Sequence, residues 1–210
     1  VLGIIYLVVI IVGAFIIKQC PVGFVPEGWT PPAPAAGQAA PVTVDKDWKG
    51  MIKDPVFYVM FLMLVCGAFF GLMMISQCSL VAQRMIGVEV TAAATIVSIL
   101  ALCNAAGRVL CGFISDKIGS INTMTIALVL AVIGLGLIYM SGYGAAAPSK
   151  SVFILGICLV GFCFGAYMGV FPGFTAGQFG MKNNSLNYGV MFIAFSVAGV
   201  LGPMIMANCY

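Results

Sequence analysis

Long uninterrupted apolar runs, rather than alternating ones, dominate this chain. Six stand out: Val1 to Ile17, Pro55 to Ile75, Val90 to Phe113, Ile121 to Met140, Val152 to Phe171 and Tyr188 to Ala207. Each is long enough to cross a hydrocarbon core, which takes ~20 helical residues. Lipid offers no hydrogen-bond partners, so a spanning backbone must pair internally as a helix or a closed barrel, and barrel strands alternate in polarity. The pattern therefore predicts an all-α, polytopic bundle of about six transmembrane helices.

The polar interruptions organise these runs. Residues 1–18 read as one transmembrane helix. Residues 19–53 read as a linker, because Pro31, Pro32, Pro34 and Pro41 alternate with Ala and Gly and cannot build a core. Residues 54–210 read as a second helical bundle, opened by Asp54 as N-cap and Pro55 in the first turn. Just before it, Asp45-Lys46-Asp47-Trp48-Lys49 is a short amphipathic piece whose tryptophan suits a headgroup layer. The first run lacks an initiator methionine and a basic leading region, so it does not read as a signal peptide. Since the chain starts inside one apolar run and stops just after another, a longer parent protein is expected.

Successive spans alternate direction, which sorts the loops into two sides. One side collects Lys18, Lys46, Lys49, Lys53, Lys117 and Lys182, and the other only Arg84 and Lys150. That bias predicts a cytoplasmic linker in a multi-pass protein of a plasma or inner membrane. Pro31, Asp116 and Lys182 should then share one end of the bundle.

Composition narrows the function. At 62% hydrophobic and 7% charged residues, the chain has too few polar groups to coat a soluble globule. The net charge of +3 is spread thinly and forms no nucleic-acid patch. Histidine is absent and no CxxC pair occurs, so zinc-finger and HExxH sites are excluded. The cysteines within the runs read as small packing residues. No predicted span holds Asp, Glu or His, which disfavours a membrane enzyme, implies no cofactor, and points to exchange or to a proton carrier elsewhere in the parent protein. Glycines four apart at Gly161, Gly165 and Gly169 line one helical face; helix packing and sliding during transport are both open readings. Phe171-Pro172-Gly173 is the expected end of that helix.

The third run leads into Gly112-Phe-Ile-Ser-Asp116-Lys117-Ile-Gly119, a short loop between spans on the predicted inner side. This GxxxDKxG arrangement resembles the loop signature of the major facilitator superfamily of transporters. Asn104-Ala-Ala-Gly107-Arg108, Phe171-Pro172, Asn187-Tyr188-Gly189 and Ala198-Gly-Val-Leu-Gly202-Pro203 narrow the resemblance to the oxalate/formate antiporter family and the related monocarboxylate transporters. The resemblance implies that the six segments are family helices six to eleven, so that the front half and the last helix of the transporter are missing partners. It further implies a substrate cavity at the midplane between halves. Asp116, with Lys117 and the glycines, would act as a conformational latch against the start of the sixth segment. Phe195 stands where the family's dicarboxylate exchanger carries a lysine, which implies one carboxylate facing an apolar wall.

Arg108 is the leading candidate for substrate binding. An arginine at a span's centre costs at least ~2.5 to 3.5 kcal/mol, so it usually faces a cavity or partner. Snorkelling to the nearer surface is hindered because helical side chains lean toward the N-terminus, away from that surface. A guanidinium can hold a carboxylate bidentately, and Asn104, one turn earlier, shares its face. Gln77 and Tyr167 are secondary candidates. The expectation is secondary active transport of a small carboxylate by alternating access, with membrane lipid as surroundings. A carrier of another solute and a non-transport membrane sensor are the alternatives.

Overall fold

In a computed structural model, residues 2–16, 45–142 and 148–209 of the chain are described. Among them every regular element is a helix. The order is α1 (Leu2–Ile16), α2 (Trp48–Ile52), α3 (Pro55–Ile86), α4 (Val90–Ile118), α5 (Ser120–Ser141), α6 (Lys150–Phe179), α7 (Asn184–Met191) and α8 (Ile193–Cys209). Five stretches have the length and apolarity of membrane spans, α3 to α6 and the combined Asn184–Asn208. At 15 residues, α1 is shorter than a span and belongs to a unit separate from the other helices.

Local chemistry sets the helix ends. Asp54 caps α3 by accepting a hydrogen bond from the Val56 N–H at 2.9 Å, with Pro55 in the first turn, as the sequence predicts. Gly87 ends α3 in the left-handed region at φ 65°, which costs a glycine little. The spans overrun their apolar cores: α3 continues from Ile75 to Ile86 and α4 from Phe113 to Ile118. Hydropathy marks only what lies in lipid, whereas the helix extends into the polar layer.

The expected stop at Phe171-Pro172 does not occur. Pro172 lies inside α6, which runs on to Phe179. Proline removes one backbone donor, yet a spanning helix keeps its path because its neighbours confine it. Around Pro172, Phe171 is fully buried against Phe174, and the Thr175 hydroxyl donates to the Phe171 carbonyl at 2.9 Å. The sixth run also departs from a continuous helix. It breaks at Phe192, where the Phe192 N–H bonds the Tyr188 carbonyl and the Phe195 N–H takes the tighter path to the Phe192 carbonyl.

α6 is the hub of the bundle, packing against α3, α4 and α5. Glycine lets these backbones approach. Gly134 of α5 and Gly156 of α6 abut each other's carbonyls. Gly67 and Gly71 of α3 lie under the rings of Tyr167 and Phe164. The two ends of the bundle segregate as alternating spans predict. Lys182 bonds Asp45, while Asp116, Asn122 and Asn184 border one groove, all at one end. Met85 meets Gly142, and Ser149 bonds Ser141, at the other, next to Arg84 and Lys150. Pro31 lies outside the described residues.

Candidate functional site

The α4–α6 seam fixes where Arg108 stands. A side-chain carbon at Gly165 would fall 2.1 Å from the Asn104 carbonyl oxygen, and one at Gly169 2.4 Å from that of Arg108. Gly161 stands in the same relation to Leu100, and in the reverse direction a carbon at Gly107 would meet the Phe162 carbonyl at 2.1 Å. The three glycines of α6 therefore register against Leu100, Asn104 and Arg108, one turn apart on α4. Such contact brings two backbones within van der Waals range, which any larger residue forbids.

With its backbone seated on α6, the Arg108 side chain is exposed. It lies roughly ten residues before the end of α4, about 15 Å along the axis. No carboxylate among the described residues pairs with it. Asn104 is half-buried, and its buried Nδ2 has no hydrogen-bond partner among the described residues. Tyr188 of α7 lies within electrostatic range of the Arg108 charge.

From Tyr188 an aromatic row leads away. The Tyr188 and Phe192 rings are 5.4 Å apart, Phe192 and Phe195 stack at 4.7 Å and 11°, and Phe195 stacks on Phe164 at 6.3 Å and 21°. Phe195 thus sits within an aromatic row that runs from Tyr188 to Phe164. Tyr188, Phe192 and Phe164 were not singled out from the sequence as site residues. The signal was present, since positions 188, 192 and 195 share one helical face. Tyr167 is buried, edge-on to Phe70 at 6.3 Å, and packs α6 onto α3. Gln77 is half-buried on α3.

The signature loop is a single-residue turn. α4 ends at Ile118, Gly119 turns at φ 86°, and α5 begins at Ser120. The left-handed φ requires the glycine. The Gly119 N–H donates to the Ser115 carbonyl and its carbonyl accepts from Thr123, while the Ser115 and Ser120 hydroxyls meet at 3.1 Å. Gly112 faces open space about two turns earlier. Asp116 and Lys117 are exposed. Asp116 borders a groove of about 820 Å³ that is also lined by Pro172, Gln178, Met181 and Asn184. Asn184 stands at the start of α7, and no hydrogen bond joins it to Asp116 across this groove. Among the described residues, no three His, Cys, Asp or Glu side chains converge as a metal site.

Packing around α6, glycine seams and a one-residue DKxG turn together define a polytopic membrane helix bundle. The sequence profile of the Major Facilitator Superfamily matches residues 1–203, and the chain belongs to that family of transporters, not to an enzyme family. It is 29% identical over 160 residues to an uncharacterised MFS-type transporter, YhjX, of Escherichia coli, covering 75% of this chain and 38% of the relative. It is also 29% identical over 164 residues to the oxalate:formate antiporter of Oxalobacter formigenes, again 38% of that protein and 77% of this chain. An MFS-type transporter of Gibberella moniliformis is 30% identical over 120 residues, 57% of this chain and 28% of the relative. The chain thus spans well under half the length of these relatives.

Proposed function

We propose that the protein works as part of a secondary transporter of a small organic anion, a monocarboxylate, by alternating access. The observation that carries this reading is Arg108: a permanent cation inside α4, exposed, and unmatched by any carboxylate among the described residues. Within a membrane such a charge is costly unless something anionic answers it. A substrate carboxylate does so with two parallel N–H···O bonds. The wall of Phe164, Phe195 and Phe192 offers the rest of the molecule an apolar surface and no second cation, which favours one carboxylate over two. Similarity to an antiporter named for oxalate and formate is consistent with an organic-anion substrate.

In this reading the first half of the parent transporter supplies the facing wall of the cavity, and the linker lies in the cytoplasm. Asn104 donates its free Nδ2 to the same ligand once the two halves close. Asp116 engages the start of α7 as a latch in the alternative conformation, closing the groove that separates them here.

The test is carboxylate binding to full-length transporter. Lactate and formate should bind the wild type, bind Arg108→Lys more weakly, and lose at least tenfold in affinity with Arg108→Gln. Unchanged affinity in Arg108→Gln removes the anchor and with it the anion reading.

A further inference from the structure

We propose that Asp45 to Asp54 is a releasable strap: it clasps α7 to the end of α6, and it must open for the transporter to complete its cycle. The proposal rests on the transport reading, though not on the identity of the solute. Its basis is a set of contacts between residues more than 130 positions apart in the chain.

Both main-chain groups of Lys46 are engaged. Its N–H donates to the Phe179 carbonyl at the end of α6 at 2.9 Å, and its carbonyl accepts from Asn187 Nδ2 at 2.9 Å and Asn183 Nδ2 at 3.3 Å. Asp45 Oδ1 accepts from the Lys182 N–H at 3.2 Å. Gly180, at φ 92°, makes room, for Asp45 occupies the space a side chain there would need. The strap's other end is tied to α3, since the Lys46 ammonium pairs with the Asp54 carboxylate that caps that helix. Between these anchors, Asp47 caps the single turn of α2, and Met51 is fully buried beneath it.

Three features mark this clasp as one that opens. Asn187 is fully buried, yet the described residues satisfy only its Nδ2, through the strap, and leave its Oδ1 without a partner. A buried amide left half-satisfied favours any state that rehydrates it. Apart from Met51 and the partly buried Ile52, which pack on the core, the strap is held by polar contacts at the bundle's end, the kind of region that opens at low cost. Finally, the helix path breaks between α7 and α8 at Phe192, and α7 carries Tyr188, within electrostatic range of the Arg108 charge. Releasing the strap would free the one short helix that connects the linker end to the candidate site.

Two experiments on full-length transporter in liposomes test this. Met51→Cys places a thiol under the strap, and Lys49→Cys an exposed one on the same turn. The proposal expects maleimide to label Met51→Cys measurably, though at least tenfold more slowly than Lys49→Cys. A Met51→Cys thiol that stays inert over hours shows a static strap and overturns the proposal without reference to any substrate. In the second, Lys46→Cys with Asn183→Cys is bridged by a short bis-methanethiosulfonate, the parent protein being treated alongside. Bridging should lower transport at least tenfold while leaving solute binding within twofold, and dithiothreitol should restore it. Full bridging with undiminished transport contradicts the proposal, as does loss of binding, which would make the strap part of the site. Failure of the anion reading appears separately, as carboxylate binding absent from the unbridged parent.

Discussion

At the scale of single residues, the account turns on two positions that face different chemistry. Arg108 is a fixed charge whose partner must come from outside the described bundle. Phe195 is an aromatic ring held between two others, where a lysine would offer a second charge. Replacing Phe195 by lysine sacrifices two stacking contacts, each worth ~0.5–1.5 kcal/mol beyond area burial. In the proposed reading it also adds a second cation to the aromatic wall, beside the one Arg108 supplies. Phe195→Lys should therefore shift the ratio of oxalate to formate affinity upward by tenfold or more while lowering the melting temperature; competition binding of the two anions reads it. An unchanged ratio would separate Phe195 from the substrate. Asp54 offers a check by pH. The Lys46 ammonium and the Val56 N–H hold its carboxyl below its ordinary value of 3.8. A carboxyl lowered on folding contributes stability above its unfolded pKa and loses it as pH falls through the folded one. The stability difference between wild type and Asp54→Asn should thus be flat from pH 5 to 8 and shrink below about pH 4. Thermal melts across that range measure it.

At the scale of elements, the glycine seam between α4 and α6 explains how a charged helix is held at a fixed depth. A methyl at Gly165 would stand 2.1 Å from a main-chain oxygen that has nowhere to retreat. Gly165→Ala should destabilise the bundle by ~1–3 kcal/mol, the usual cost of overpacking. Gly173→Ala, with nothing within 4 Å, should be neutral or gain up to ~1 kcal/mol of helix propensity. Melting temperatures of the two variants, which share a helix, isolate the seam from any general effect of losing glycine. Much of this was legible from residue order alone. The spans were visible because apolar runs are what lipid selects, and the Gly161, Gly165 and Gly169 spacing announced a close neighbour without naming it. Sequence could not reveal that the neighbour is α4, in register with Asn104 and Arg108. It also misplaced the end of α6, because the rule that proline stops a helix assumes water is available to the freed carbonyl. The row through Tyr188, Phe192 and Phe195 went unnoticed although its spacing marks one face, because aromatic residues on an apolar helix give little contrast. Asn187 stood inside a recognised motif, but its burial against Lys46 depends on two distant segments meeting.

At the scale of the whole molecule, the described bundle corresponds to only part of the length of its relatives. Family membership and five spanning helices establish a multi-pass membrane transporter fold. The relatives are more than twice as long as the stretch they share with this chain. The central claim is that Arg108 turns this fold into a carboxylate carrier, and solute exchange tests it most directly. Full-length transporter in liposomes preloaded with unlabelled lactate should take up external labelled lactate by counterflow. Arg108→Gln at equal incorporation should lower that rate at least tenfold, with no gain from an imposed proton gradient. Counterflow of lactate and formate that is absent in the wild type, or that proceeds at the wild-type rate in Arg108→Gln, would contradict the account.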